Sequence, residues 1–271
     1  MSQLSAPATP ETRPRLGLWN MLGLWALYKR EVMRFFKMYM QTFVAPAVTA
    51  LLFLAIFQLA FEGEGRSMGD VPFAEFLVPG LTIMAVMTSC FANASFTLMF
   101  EKIVQTIVDT LMPPLTAWEM TVGYVLSSIT RGVLVGAVLA GAMSLFVDIN
   151  IHHWGYMFFH VAMAAWMMSC FGLMTALWAD KVDHVASVNN FVILPLTFLS
   201  GTFYSIQHLP ASVQLIAQVN PFFYIIDGFR YGFIGEADSN LAAGIIFLLL
   251  LNGAATAFCR HLFQTGYNLK S

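Results

Sequence analysis

Charged residues are scarce in this sequence: of 271 residues, 13 are Lys or Arg and 15 are Asp or Glu, which is 10% of the chain. A soluble globular domain carries roughly a quarter charged residues and uses them to cover its surface. The hydrophobic fraction here is 58%. This composition excludes a soluble enzyme, a disordered protein and a nucleic-acid-binding module, which would need a basic face.

Sequence motifs of the common enzyme classes are missing as well. The chain contains no GxxxxGK[ST] phosphate loop, no HExxH and no GxSxG motif, so we expect no ATP site, no catalytic residue, no metal site and no cofactor in this chain. Cys90, Cys170 and Cys259 stand in apolar runs at no metal-ligand spacing and are predicted to be buried free thiols. The adjacent His152 and His153 are interpreted as a solvated interfacial pair, with a metal site as the alternative.

Long apolar runs dominate the chain instead. A membrane-spanning helix needs about 20 mostly apolar residues. Such helices are predicted at about 38–61, 73–100, 120–147, 156–179, 188–205 and 240–262. They predict an all-α polytopic membrane protein with six transmembrane helices, whose transmembrane domain covers 17–262 between a disordered tail (1–16) and a C-terminal tail (263–271).

The basic residues are distributed unevenly around these spans. Ten precede the first span or fall in the even-numbered loops and the C-terminal tail, namely Arg13, Arg15, Lys29, Arg30, Arg34, Lys37, Lys102, Lys181, Arg260 and Lys270. Only Arg66 and Arg230 fall in the odd-numbered loops. Because cytoplasmic loops are enriched in Lys and Arg, both termini are predicted to be cytoplasmic.

Arg131 is the one charged residue placed well inside a predicted span. It lies about three turns from the cytoplasmic end, within snorkelling distance. Pairing with Glu119 or with a lipid phosphate is the favoured interpretation, and substrate binding is the alternative. Since the spans lack the buried acids of an ion-coupled pump, we expect the energy for any transport to come from another protein.

Two amphipathic segments are predicted on the cytoplasmic side. Residues 17–36 carry apolar residues ahead of Lys29, Arg30 and Arg34, which is typical of a helix lying in the membrane interface; a cytoplasmic extension of the first span is the alternative. Residues 101–112 have apolar positions at helical spacing, and a double proline follows them. A short helix of this kind suits docking into a groove of a partner, or else caps the bundle. Its polar residues are Glu101, Lys102, Gln105, Thr106, Asp109 and Thr110.

Residues 198–233 form an irregular apolar segment after the fifth span. Gly201 and Pro210 interrupt a regular helix, and Pro221 ends the short helix that follows Pro210. Asp227 and Arg230 are three residues apart, a spacing that permits a local ion pair. Backbone breaks at membrane depth survive only where protein or water satisfies them, so re-entrant, non-spanning helices are predicted here.

The stretch SGTFY…LP…NPFFYIIDGFRYGF within this segment resembles the signature of the ABC-2 family of permeases. The similarity extends over nearly the whole chain, with KREVMRF before the first span, Gln41-Thr42 and Pro46 at its start, and FLVPGLTIMAV in the second span. The sequence is most similar to the inner-membrane branch that includes nodulation-factor exporters and permeases for drugs or lipids. Residues 101–112 depart from the family, since many relatives have a more charged stretch there.

The resemblance implies a non-enzymatic permease subunit of a bacterial inner-membrane exporter. Two copies of the chain would work with two ATPase subunits, which would bind ATP and Mg²⁺. Residues 101–112 would be the coupling helix and 17–36 the connecting helix that also touches the ATPase. Export of a lipid, glycolipid, lipo-oligosaccharide or drug would proceed by alternating access. The outer re-entrant region would close the exit, with Gly201, Tyr204, Pro210, Asn220, Pro221, Asp227 and Arg230.

Polar residues inside the spans are candidates for the translocation path, because a polar side chain in lipid needs a partner or water. They are Ser89, Asn93, Ser95 and Thr97 in span two, with Asn189, Asn190 and Thr197 in span five. Ser and Thr hydroxyls bonded to their own helix are the alternative. Gly132 and Gly136 are predicted to allow close packing within the subunit. An ATP-independent channel or secondary carrier, and a non-transporting membrane scaffold, remain alternative functions.

Overall fold

The structure of the protein is a computed structural model that describes residues 20–61, 67–68, 71–149, 151–206, 210, 214 and 217–268. The predicted tail at 1–16 and part of the short helix expected after Pro210 lie outside these residues. In chain order the elements are α1 (Met21–Lys37), a π-helical turn (Met40–Val44), α2 (Ala45–Phe61), β1 (Ser67–Met68), β2 (Val71–Pro72), α3 (Phe73–Ile103), α4 (Ile107–Leu111), α5 (Ala117–Met143), α6 (Trp154–Trp178), α7 (Val182–Val188), a second π-helical turn (Asn189–Ile193), α8 (Leu194–Leu199), α9 (Pro221–Ile234) and α10 (Leu241–Thr265).

Six helices within the described part of the chain are long and apolar enough to cross a membrane. They are Met40–Ala60, Phe73–Ile103, Ala117–Met143, Trp154–Trp178, Val182–Leu199 and Leu241–Thr265. The prediction of an all-α protein with six spans is confirmed. β1 and β2 form a two-stranded antiparallel pair of two residues each, just before α3.

The centre of the bundle is built by α3 and α6, with α5, α9 and α10 packed around them. Side chains from three helices interdigitate there, among them Met87 of α3, Met168 of α6 and Phe229 of α9, all fully or almost fully buried. Gly132 of α5 allows this close packing, since a Cβ atom there would lie 3.0 Å from Cβ of Ala165 and 3.2 Å from Sγ of Cys90. The prediction that this glycine packs within the subunit is confirmed.

Both π-helical turns lie two residues before a proline. Met40–Val44 precedes Pro46, and Asn189–Ile193 precedes Pro195. Proline has no N–H to donate and its ring displaces the carbonyl four residues earlier, so the helix widens instead of breaking. The first and fifth spans are therefore continuous helices in spite of their prolines.

The fifth span begins and ends earlier than predicted. It covers Val182–Leu199 rather than 188–205, and the chain leaves the helix at Ser200 and Gly201. Gly201 has φ of +81°, a left-handed conformation that glycine adopts at little cost. The third span also begins and ends earlier than predicted, at Ala117–Met143 rather than 120–147. Thr116 and Glu119 form a capping box that starts α5 at Ala117.

Candidate functional site

The end of α3 is tied to α1 by a cluster of charged and hydroxyl groups, which we call the junction (Arg30, Glu31, Glu101, Thr110 and Tyr124). Arg30 Nη2 lies 2.7 Å from Glu101 Oε1, and Arg30 Nη1 donates to Thr110 Oγ1 at 2.8 Å. Glu101 Oε2 accepts from Thr110 Oγ1 at 3.0 Å and from Tyr124 Oη at 3.1 Å. The junction therefore joins α1, α3, α4 and α5 at one end of the bundle.

Glu31 connects this junction to a second arginine. Its Oε2 accepts from Arg34 Nη2 at 2.5 Å, and its Oε1 accepts from Arg30 Nη2 at 3.2 Å. The side chain is completely buried. Burial raises the pKa of Glu31 above its ordinary value, against the opposing effect of the guanidinium groups of Arg34 and Arg30.

α1 is held on α5 along its whole first half. Asn20 accepts from Gly23 N at 2.9 Å and so caps α1, while its own N–H donates to Glu119 Oε1. Tyr28 Oη and Thr130 Oγ1 are 2.9 Å apart. Leu27 packs closely on Gly123, since a Cβ atom added to Gly123 would lie 2.7 Å from Leu27 Cδ2. The helix is thus a fixed part of the bundle.

The segment predicted to be one helix over 101–112 is broken. α3 continues to Ile103, residues 104–106 form a turn, and α4 covers only Ile107–Leu111. The break lies at Gln105, whose φ of +61° is left-handed. The prediction of a continuous helix was wrong, because the span's own helix extends a turn further than its apolar composition indicated.

The polar residues of this segment point in different directions. Gln105, Thr106 and Asp109 are exposed, whereas Glu101 and Thr110 belong to the junction. Lys102 is almost fully buried, and its Nζ donates to the carbonyls of Ala176, Leu177 and Ala179 at 3.0, 3.3 and 2.8 Å. Lys102 therefore holds the end of α6 rather than facing outward.

A cavity of about 970 Å³ lies beside the junction, between α1, the start of the first span, α3 and α5. We call it the arginine cavity, and its charged residues are Arg30, Arg34, Lys37, Glu101 and Arg131. Asn93 and Thr97, two of the residues predicted for the translocation path, also line it. The structure therefore brings these two predicted residues together with α1.

Arg131 does not pair with Glu119, so that part of the favoured interpretation was wrong. Arg131 Nη1 donates to Asn93 Oδ1 and Nε donates to Ser89 Oγ, both at 2.9 Å. Glu119 is instead used in the capping box, where its Oε2 accepts from Thr116 N at 2.7 Å. A carboxylate that caps the first turn of α5 lies more than two turns away from Arg131 on the same helix.

The remaining path candidates lie elsewhere. Asn189 and Asn190 occupy the second π-helical turn, where Asn189 Nδ2 donates to Asn190 Oδ1 at 3.1 Å. The hydroxyls of Ser95 and Thr197 are bonded to their own helices, to Phe91 O and Ile193 O, both at 2.7 Å. None of these four residues lines the arginine cavity.

At the opposite end of the bundle, α9 is a 14-residue helix, too short to span a bilayer. Pro221 begins it rather than only ending the preceding turn, and Asn220 caps it by accepting from Phe222 N at 3.1 Å. Asn220 Nδ2 also donates to Leu196 O at 2.9 Å. Tyr204 Oη donates to Phe198 O at 3.2 Å, so both residues attach this region to the fifth span.

Asp227 and Arg230 do not form the ion pair that their spacing permitted. Asp227 accepts from the backbone N–H groups of Asp238 and Ser239, at 2.8 and 2.9 Å. Arg230 Nη2 donates to Gly201 O at 2.6 Å, and its guanidinium lies 3.8 Å from the centre of the Phe76 ring. Each charged group instead closes a separate loop onto α9. Pro210 is exposed, and its carbonyl accepts from Gln214 N at 3.1 Å.

His152 and His153 are exposed, and the backbone N–H of each donates to Gly232 O, at 3.1 and 2.9 Å. The three cysteines are buried and free, as predicted. Within the described residues, no group of three or more His, Cys, Asp or Glu side chains is placed to hold a metal ion.

Sequence reasoning missed two members of the junction, Glu31 and Tyr124. Glu31 stands three residues before Arg34, a spacing that favours an ion pair on one helix face and could have indicated its role. Tyr124 lies in an apolar run of the third span, and nothing in its sequence context distinguishes it from core residues. It was found only because α5 places its hydroxyl on Glu101.

Six long apolar helices, two of which (α3 and α6) form the buried centre, with a short helix at one end and a polar cavity at the other, define a polytopic membrane protein of the transporter class. The chain belongs to the ABC-2 type transporter family, whose model matches residues 23–234.

Its relatives include the inner membrane transport permease YadH of Escherichia coli K12, 32% identical over 250 residues that cover 92% of this chain and 98% of the relative. Nodulation protein J of Neorhizobium galegae is 22% identical over 257 residues, covering 93% of this chain and 94% of the relative. Nodulation protein J of Rhizobium leguminosarum bv. viciae is 22% identical over 241 residues. The similarity to a permease family and to an inner membrane transport permease is thus established over most of the chain.

Proposed function

We propose that this chain is the permease half of an ATP-driven exporter in a bacterial inner membrane. Two copies would work with two separate ATPase subunits, to which ATP and Mg²⁺ would bind, and both termini would be cytoplasmic. The cargo would be a hydrophobic or lipid-linked molecule such as a lipid, glycolipid, lipo-oligosaccharide or drug, moved outward by alternating access. The outer region around α9 would close the exit.

The observation that carries this proposal is the junction. ATP-driven export requires a movement at the ATPase to reach the spans, and a contact surface that moved independently of them would transmit nothing. Through Thr110, bonds of 2.7 to 3.0 Å among Arg30, Glu101 and Thr110 bind α4 to both α1 and the end of α3. A push on α4 would therefore move α1 and α3 together.

The exposed part of this surface supplies the contacts. Gln105, Thr106 and Asp109 are exposed, as are the apolar side chains of Val104, Val108 and Met112. Apolar anchors with polar neighbours on a short helix suit insertion into a groove of a partner. The neighbouring face of α1 adds Lys29, which is exposed and completes the proposed ATPase-docking surface.

The first and fifth spans support the pairing of two copies. Few residues of Met40–Ala60 and Val182–Leu199 are buried in the single chain, whereas α3 and α6 are largely buried. Part of this apolar surface would face lipid, and part would face the second copy.

The test is to replace Asp109 by Lys and to measure ATP hydrolysis and export by the purified complex in proteoliposomes. Reversing an exposed charge at the docking surface should lower both rates severalfold, because a like-charge contact replaces a favourable one. Asp148→Lys is the matched control, since Asp148 is also exposed but follows α5 at the opposite end of the bundle. Equal rates for the two variants would refute the docking assignment.

A further inference from the structure

The arginine cavity combines cationic side chains with a mainly apolar lining. Arg34, Lys37 and Arg131 line it together with Asn93 and Thr97. Its remaining surface is mainly apolar and includes Met33, Met38, Phe96 and Phe100. A volume of about 970 Å³ is at the upper end of the range for small-molecule sites. The cavity is thus large enough for a charged group together with part of a hydrocarbon chain.

Arg131 is the most informative group in this cavity. Its side chain is only 9% exposed, and both of its hydrogen bonds go to uncharged acceptors, the Ser89 hydroxyl and the Asn93 amide oxygen. Within the described part of the chain, no carboxylate lies within ion-pair distance of it and no hydrogen bond uses its Nη2. A guanidinium buried at membrane depth without an anion is costly, and such residues mark sites for substrates or ions.

Arg34 adds a second guanidinium at the same point. Its Nη2 lies 3.4 Å from the same Asn93 Oδ1 that accepts from Arg131, and it also contacts the Thr97 hydroxyl. Glu31, three residues before Arg34 on α1, neutralises the charge of Arg34. The carboxylate that lines the cavity, Glu101, is already bonded to Arg30, Thr110 and Tyr124. Among the described residues, therefore, no acidic side chain balances the positive charge of Arg131 and Lys37.

Paired guanidinium groups are the preferred protein donors to phosphate and carboxylate oxygens, because their planar N–H forks match the geometry of these anions. The apolar lining beside them would take a hydrocarbon chain out of water, and this transfer is favourable. We propose that the arginine cavity binds the anionic head group of an amphiphile, with Arg131 and Arg34 as its ligands. The role of this amphiphile as the exported substrate rests on the proposed function above.

The site can be tested by binding alone, without transport. The purified full chain in detergent is titrated with oleoyl lysophosphatidic acid and with oleoyl lysophosphatidylcholine, and bound lipid is counted by native mass spectrometry. The two probes share one acyl chain and differ in head-group charge. The variants are Arg131→Gln and Arg34→Gln. Arg260→Gln is the matched control, because Arg260 is an exposed arginine of α10 that does not line the cavity.

We expect the lysophosphatidic acid to bind the wild-type chain at least tenfold more tightly than the zwitterionic probe. Arg131→Gln and Arg34→Gln should remove most of that preference, and Arg260→Gln should keep it. Equal binding of the two probes by the wild-type chain would overturn the proposal, as would equal losses in all three variants. If Arg131→Gln fails to give a monodisperse protein, Arg34→Gln decides, since Arg34 is only partly buried and its loss leaves both bonds of Arg131 in place.

Inorganic phosphate as a competitor distinguishes the source of the anion. Displacement of the lysophosphatidic acid by an equal concentration of phosphate would assign the site to a free anion and overturn the amphiphile proposal. No displacement at that concentration supports a contribution from the acyl chain. If the protein shows charge-selective binding but no ATP-driven export, the proposed function is refuted and the proposed binding site stands. Export without charge-selective binding would refute the site and leave the function.

Discussion

Replacing Lys102 by Met removes a buried ammonium group while keeping an unbranched, flexible side chain. In the structure this ammonium donates to three carbonyls at the end of α6, and the residues that carry them, Ala176, Leu177 and Ala179, are completely buried. Water cannot take over these bonds. Hydrogen bonds to a charged group contribute about 1.5–3 kcal/mol each, and an unsatisfied buried acceptor costs about 1–3 kcal/mol.

The net effect is smaller than the sum of three such bonds. The wild-type protein pays a desolvation penalty of several kcal/mol for burying the ammonium, and the variant does not. We therefore expect Lys102→Met to lower the free energy of unfolding by roughly 2–4 kcal/mol, of the order of a single buried hydrogen-bond network.

The assay is thermal unfolding of the purified protein in detergent, followed by intrinsic tryptophan fluorescence. Lys29→Met is the matched control, because Lys29 is exposed on α1. We expect a Tm lower by several degrees for Lys102→Met and a change within about one degree for Lys29→Met. Equal Tm values for the two variants would refute the assignment of Lys102 to the end of α6.

Two further predictions concern the ends of the bundle. Gly80→Ala should destabilise the protein by about 1–3 kcal/mol, because a Cβ atom there would lie 2.3 Å from the backbone oxygen of Thr202; Gly141→Ala, with nothing within 4 Å, should leave the Tm unchanged or raise it slightly. A lower Tm for Gly141→Ala than for Gly80→Ala would contradict that packing. In a double-mutant cycle, Arg30→Met and Glu101→Gln should show a coupling free energy of about 0.5–1 kcal/mol, since the Arg30 side chain is 41% exposed. Strictly additive changes in the free energy of unfolding would mean that Arg30 and Glu101 do not stabilise the fold through their contact.

Much of the fold could be predicted from the sequence because apolar length is a strong signal. Each of the six spans needs about 20 apolar residues, and each appears as a run with almost no charge. The ends of the helices were less accurate, because local chemistry fixes them. The capping box of Thr116 and Glu119 starts α5, and the left-handed Gly201 follows the end of the fifth span.

Partners of charged side chains could not be predicted in the same way. Spacing indicated that Asp227 and Arg230 could pair, but in the fold each has backbone partners from a separate loop. The same holds for Arg131, whose acceptors come from α3 rather than from its own helix. A spacing rule describes neighbours on one helix, whereas these bonds depend on which helices meet.

The candidate site was predicted in part. Asn93 and Thr97 were chosen because polar groups in a span need partners, and both lie in the arginine cavity. Asn189 and Asn190 were chosen for the same reason but are bonded to each other on a different helix. The cost of placing a polar side chain in lipid identifies the unusual residues of a span. Only the packing of α1 against α3 and α5 shows which of these residues share a site.

The proposed division of labour between this chain and an ATPase is tested most directly by purifying the chain from its native bacterial membrane and measuring ATP hydrolysis by whatever complex it forms. This sequence has no phosphate loop, so we expect a partner to catalyse the hydrolysis. We predict vanadate-sensitive hydrolysis by an assembly whose native mass corresponds to two copies of this chain and two ATPase subunits, and a severalfold lower rate for Asp109→Lys. A chain that is purified under these conditions without an ATPase and without hydrolysis, yet still exports its cargo, would contradict the account.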